Sequence, residues 1–162
     1  MLGMLGEAEI EEVLQRGTVG RVGVWDGSRC HVVPISYVYQ DGSVLAHSID
    51  GEKLRLMRDR PHDVCFEVDE SDDVVNWRSV IAWGDFEEVE GLAALGVMQL
   101  LVGRLERSAL GSARTPQTTP RMTHGSGGAM PDLPVHAADV PGRAPVAFRI
   151  HLSSRTGRFE RR

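Results

Sequence analysis

Residues 31–53 read His-Val-Val-Pro-Ile-Ser-Tyr-Val-Tyr-Gln-Asp-Gly-Ser-Val-Leu-Ala-His-Ser-Ile-Asp-Gly-Glu-Lys. Val33, Ile35, Tyr37 and Tyr39 alternate with Val32, Pro34, Ser36 and Val38, the period of a half-buried strand. Asp41-Gly42 is a strong hairpin signal, and Val44 to His47 reads as the returning strand. At Ser48 the pattern changes. Asp50 is positioned to cap a helix that Leu54, Met57 and Arg58 continue and that Arg60-Pro61 stops.

A strand ending in His47-Ser48 that opens into a helix carrying Lys53 one turn in has a possible chemical use. Unpaired N–H groups, the positive end of the helix dipole, a hydroxyl and an ammonium together make a phosphate seat. The same spacing also suits an ordinary strand-to-helix junction with a solvated lysine. From these residues alone both stay open.

Outward from this stretch, residues 7–16 place Ile10, Val13 and Leu14 on one helical face, with Gly17 as C-cap. Residues 18–25 form a strand, and Asp26-Gly27 turns it back, so two Asp-Gly hairpins in succession give an antiparallel meander. Residues 64–69 are a strand turned at Ser71-Asp72-Asp73. Residues 77–89 follow as a long strand, expected to be buried on both sides over Val80–Trp83, bent at Gly84, and solvated beyond it. Residues 93–107 are a helix whose stripe of Leu95, Met98, Leu101, Val102 and Leu105 suits packing. From 111 to 145 Pro, Gly, Thr, Ser and His dominate and no period survives, so a long loop is expected inside a single domain spanning 1–162. Residues 146–152 return to strand alternation, with a last turn at Thr156-Gly157-Arg158. The sum is a mainly β domain with flanking helices: about six antiparallel strands in a small closed barrel.

Composition narrows the function. With 162 residues and a net charge of −5, the chain has one domain's worth of core and no basic block, which excludes nucleic acid as the expected partner. No segment approaches a membrane span, the first residues lack a basic leader, and the cytoplasm is the default location. Cys30 and Cys65 then read as reduced core thiols. His31, His62, His124, His136 and His151 show no ligand spacing, so no metal is expected. There is no nucleophile motif and no glycine-rich dinucleotide fingerprint. Arg78 stands at the mouth of an apolar strand. Its guanidinium suits a phosphate or carboxylate, and equally a rim salt bridge.

Four segments in register, Val32–Tyr39, His47–Leu54, Arg60–Asp69 and Trp77–Gly84, resemble the pyridoxamine 5′-phosphate oxidase-like FMN-binding split barrels, above all their nitroimidazole-resistance, nitroreductase-like branch. The resemblance implies a six-stranded antiparallel split β-barrel, a homodimer, and FMN at the subunit interface. By that pattern the strand Val33, Pro34, Ile35 and Ser36 offers backbone groups to the isoalloxazine. His47, Ser48 and Lys53 surround the phosphate, Arg78 and Ser79 reach in from a later strand, and Trp77 or Trp83 stacks nearby. Two departures stand out: Glu52 occupies the place where the vitamin-converting oxidases carry a second cation, and Arg149-Ile150-His151 lacks the pattern around their substrate-gripping segment. Pyridoxamine phosphate is therefore not the expected substrate.

The implied activity is oxidoreduction, with electrons passing from NAD(P)H through FMN to a small acceptor such as a nitroaromatic or quinone. His47 is the candidate catalytic proton donor, with a structural hydrogen bond across the dimer as its other role. Related families put haem or a deazaflavin on the same barrel, or bind flavin without turnover, and these remain the alternatives.

Overall fold

Asp41 and Gly42 both take positive φ, 50° and 73°, in the type I′ geometry that matches strand twist. They turn β3 (Cys30–Gln40) into β4 (Ser43–Ile49) in a computed structural model that describes residues 1–112 and 144–162. The other described elements are β1 (Leu2–Met4), α1 (Glu7–Arg16), β2 (Val19–Trp25), α2 (Glu52–Asp59), β5 (Val64–Asp73), β6 (Asn76–Val89), α3 (Gly91–Ser112) and β7 (Pro145–Glu160). The expected loop 111–145 lies outside the described residues over 113–143.

Six long strands pair antiparallel in the closed order β7-β4-β3-β2-β5-β6, with β6 returning to β7. This is the mainly β split barrel expected from the sequence. β7 closes it. Along one edge β7 pairs with β6 from Ala147 to Glu160; along the other it pairs first with β4, then with the short β1.

Inside the ring, Val22, Tyr37, Val44, Phe66, Val80, Phe148 and Ile150 are buried, and removing such an apolar side chain from water stabilises the fold by roughly 1.5–3 kcal/mol. Helix α1 shuts one end with Ile10, Val13 and Leu14, and Tyr37 donates its hydroxyl to the Leu14 carbonyl at 2.9 Å. Helix α2 shuts the other with Leu54, Leu56 and Met57. Helix α3 lies outside, packing Ala94, Val97, Met98 and Leu101 over Val38, Leu45, Val89 and Ala147. From α3, Arg104 donates to the carbonyls of Gln15, Arg16 and Gly17, completing the C-terminus of α1. Among the described residues, no helix is long and apolar enough to cross a membrane.

Several local expectations change. Strand β6 is one-sided: Val80, Ala82 and Phe86 are buried while Ile81 and Trp83 are exposed, because α3 reaches β6 only at Val89 and leaves the outer face around Ile81 and Trp83 bare. Phe86 stays in the core where solvent was expected. On α3 the buried stripe is Val97 and Leu101, with Leu95 and Val102 outside. The β5–β6 turn falls at 74–75, after Asp73 accepts from Val75 N–H and the Asn76 amide, and Thr156-Gly157 runs within β7 rather than turning. Cys30 and Cys65 are free thiols, but on the barrel's outer face flanking Gly23 rather than in its core. β1 has no periodicity to betray it, since three residues gain their pairing only from distant β7.

The bend at Gly84 is present as a register shift between Trp83 and Gly84. A Cβ there would stand 2.3 Å from the His151 carbonyl oxygen, whereas one on Gly96 would meet nothing within 4 Å. Gly84→Ala should therefore cost about 2–3 kcal/mol in urea unfolding. Gly96→Ala should gain about 0.5–1 kcal/mol by raising helix propensity.

Candidate functional site

The barrel is split at the end that α2 closes. The β3–β4 ladder runs only from Gln40↔Ser43 to Tyr37↔Ala46. Beyond it His47, Ser48 and Ile49 pair with β7 alone, and Cys30–Ser36 pair with β2 alone. Tyr37 N–H donates to the Thr18 carbonyl, toward β2, so by antiparallel alternation Ser36, Pro34 and Val32 turn their backbone groups into the gap. Pro34 sits where its missing N–H leaves no ladder bond unmade. Val33 and Ile35 point inward and anchor this edge; Pro34 and Ser36 point out. His47, half-buried, shares the outer face of β4 with Leu45 and is among the first residues past the end of the ladder.

Helix α2 begins at the same mouth. Its N-cap is Gly51, not Asp50, and no side chain caps it. Asp50 is turned instead to Arg58 at 2.7 Å, and Arg58 also holds Glu88 at 2.6 Å. The first intrahelical bond runs from Arg55 N–H to the Gly51 carbonyl, leaving the N–H groups of Glu52, Lys53 and Leu54 without a helical acceptor. Ser48, half-buried, donates to the Ile49 carbonyl at 3.1 Å. An open cleft lined by Asp50, Gly51, Glu52, Arg55, Arg58 and Val146 faces this helix start.

Lys53 supplies the charge. Its ammonium is partly buried, burial pushes its pKa below the ordinary lysine value, and among the described residues no carboxylate forms an ion pair with it. A desolvated cation without a described counter-ion, carried on the first turn of a helix whose opening amides have no helical acceptor, fits a phosphate group. Glu52 is mostly exposed and loosely held by Arg55 at 3.8 Å.

Trp77, Arg78 and Ser79 lie elsewhere. Arg78 stands opposite Phe159, while His47 stands across β7 from Val89; the intervening part of β6 is roughly 35 Å of strand at about 3.3 Å a residue. At the α1 end Arg78 pairs with Glu12 at 3.0 Å and Glu70 at 2.6 Å, which is the rim salt bridge, and Trp77 donates its indole N–H to Glu160 at 3.2 Å. Of the residues singled out from the sequence, one chain therefore gathers Val33–Ser36, His47, Ser48 and Lys53 at the α2 end and leaves Trp77, Arg78 and Ser79 at the other. Arg149 and His151 lie farther along β7, opposite Leu45 and Ser43, and are engaged by Glu87 at 2.7 Å and by Ser43 at 3.3 Å. Sequence reasoning gave no weight to the loop after β2, where Asp26 accepts from Ser28 and Arg29 and meets His31 at 2.5 Å. The His31 contact, reinforced by those N–H and O–H donors, holds Asp26 far below the usual carboxylate range.

A family model described as pyridoxamine 5′-phosphate oxidase matches residues 6–124. No curated protein matches the chain. Among solved structures, the chain is similar to an FAD-binding protein from Mesorhizobium loti at 23% identity and TM-score 0.70, covering 100% of this chain and 98% of that one. It is similar to a candidate 5-nitroimidazole antibiotic resistance protein from Bacteroides thetaiotaomicron at 16% identity and TM-score 0.60, covering 98% and 87%. An FAD and haem binding protein from Mycobacterium smegmatis aligns at 12% identity and TM-score 0.64, covering 99% and 74%. At these identities the likeness is one of fold.

An unpaired, partly buried cation lowers the stability of the empty chain. Lys53→Met should raise its thermal midpoint and abolish the further rise that inorganic phosphate gives the unsubstituted protein. Glu52→Gln should enlarge that phosphate response, corresponding to about 0.3–1 kcal/mol of removed repulsion. Phosphate responses indifferent to both substitutions would dismiss this helix start as an anion seat.

Proposed function

The chain belongs to the pyridoxamine 5′-phosphate oxidase family, and on that premise we propose that it binds a flavin by its phosphate at the start of α2 and serves as an oxidoreductase. One observation carries this: Lys53, partly buried and without a carboxylate partner among the described residues, lies in the first turn of α2, whose first three amides have no helical acceptor, at the mouth of the split. FMN has the one phosphate this seat requires, and FAD presents an equivalent one.

When bound, the flavin supplies the redox chemistry. The residues of this chain bind, orient and protonate. Lys53 and the N–H groups of Glu52, Lys53 and Leu54 hold the phosphate, with the Ser48 hydroxyl at its side. The outward backbone groups of Pro34 and Ser36 face the ring edge, and Val33 and Ile35 lock that strand to the core. His47, on the outer face at the gap, gives a proton to the reduced acceptor. NAD(P)H is the electron donor and a nitroaromatic or quinone the acceptor.

A homodimer completes the site. Val32, Gly23, Cys65 and Trp83 stand in register across β3, β2, β5 and β6, a partly exposed apolar row on the outer face that suits a second copy of the chain. Trp77, Arg78 and Ser79, at the far end of their own barrel, can meet the cofactor only from that second copy.

The purified protein should show oxidised-flavin absorption that survives gel filtration at dimer mass, bleaches with NADH or NADPH, and returns with a nitroaromatic or quinone. Lys53→Ala should weaken flavin binding by about 1–3 kcal/mol, the range for a charge-assisted contact. A colourless protein that takes up no added flavin would overturn the proposal. A Soret band would replace flavin with haem, and tight flavin that no nicotinamide bleaches would make the protein a carrier or sensor.

A further inference from the structure

We propose that a second cleft, between α2 and the end of β2, binds an adenosine phosphate, with Trp25 as the platform for the adenine. The inference rests on the flavin reading for the source of that group, but not for the cleft itself. The cleft has a volume of about 750 Å³, and Trp25, Ser28, Glu52, Arg55, Asp59 and Arg60 line it. That is ample for a nucleoside phosphate.

Trp25 is 46% exposed, unusual for an indole at the end of a core strand. The reason lies in its neighbours. Its cross-strand partner is Cys30, and the next residue on its own outer face, Gly23, has no side chain to lie against it. An indole face left bare beside a cleft is a surface on which a purine stacks.

The polar groups fit the rest of the nucleotide. Arg55 reaches Glu52 and Asp59 only at 3.8 and 3.7 Å, and Arg60 reaches Asp63 at 3.6 Å, so both guanidiniums are loosely held. An incoming phosphate offers either one a closer, bidentate partner. Glu52 and Asp59 are exposed carboxylates able to accept from ribose hydroxyls, as acidic residues do in dinucleotide sites. Asp26, which also lines the cleft, is held by Ser28, Arg29 and His31, and these contacts fix the loop that walls it.

Glu52 and Arg55 line both this cleft and the one at the start of α2. A phosphate seated at the helix start and an adenosine phosphate beside Trp25 are thus separated by about one helical turn. Two sources present this chemistry: the adenosine half of FAD, spanning both clefts, or the adenosine half of a separate nicotinamide dinucleotide.

The experiment titrates the flavin-free full chain with ADP, FMN and FAD, and the FMN-loaded protein with NADPH, for the unsubstituted chain, Trp25→Ala, Trp25→Phe and Arg55→Ala. ADP should bind, and Trp25→Ala and Arg55→Ala should each weaken it about tenfold, with Trp25→Phe restoring most of the loss. Arg55 is solvent-exposed, so its variant keeps the test valid if Trp25→Ala misfolds. FAD binding about tenfold tighter than FMN, with the preference lost in these variants, identifies FAD as the source. Equal FAD and FMN affinities with weakened NADPH binding in the variants identify the dinucleotide donor. No binding of ADP, with FAD, FMN and NADPH affinities unchanged by the substitutions, overturns the proposal while leaving flavin binding intact. Failure of the unsubstituted chain to take up either flavin overturns the flavin reading instead, and the ADP titration alone then decides the cleft.

Discussion

The structure depends on the pairing of β7. This strand fills the space between β6 and β4, and without it the five strands β4-β3-β2-β5-β6 would be an open sheet with two bare edges, a template for aggregation. It also brings the last residues of the chain against the first: β1 pairs with Arg158–Glu160, and Leu5 N–H donates to the Gly157 carbonyl. Gly157 is required there because a Cβ would lie 2.9 Å from the Leu5 Cβ. Closure thus joins segments far apart in sequence, and its large loop entropy must be offset by the continuous ladder with β6 and by burial of Phe148 and Ile150.

The same closure creates the candidate site. Because β4 follows β7 beyond Ala46, it leaves β3, and the ring opens at one end. Opening a sheet exposes backbone groups, a cost that a fold accepts where something else pairs with them. Pro34 lessens the cost by removing one donor from that edge. Helix α2, set across the opening by Leu54, Leu56 and Met57, places an uncapped start and Lys53 at the mouth. Lys53 is poorly solvated there and gains no carboxylate among the described residues, which is the arrangement expected where charge complementarity to a ligand was favoured over stability of the empty chain.

The opposite end is built on the contrary principle. Arg78, Arg16 and Arg155 are matched by Glu12, Glu70, Glu11 and Glu7, and Tyr39 donates to Glu11 while accepting from Arg155. These charges tie α1 to the barrel and are satisfied internally. Two ends of one barrel therefore differ in electrostatics: one neutralised, one left with a cation available.

Local patterns in the sequence determined the local structure. The alternation of Val33 to Tyr39, the Asp41-Gly42 turn, the amphipathic faces of 7–16 and 54–58 and the bend at Gly84 each rest on periods or backbone freedom contained within a few residues, and they sufficed for a mainly β barrel with Ser48 and Lys53 at a helix start. Other features needed the assembled ring. Whether Ile81 and Trp83 are covered depends on where α3 lies; whether Asp50 caps α2 depends on Arg58 competing for its carboxylate. Arg78 offered an anion site as readily as a salt bridge until the fold set Glu12 and Glu70 beside it. The gap between β3 and β4, the bare face of Trp25 and the distance separating Trp77–Ser79 from Lys53 arise from strand register, which couples residues through space. A local sequence period carries no information about which distant strand will pair.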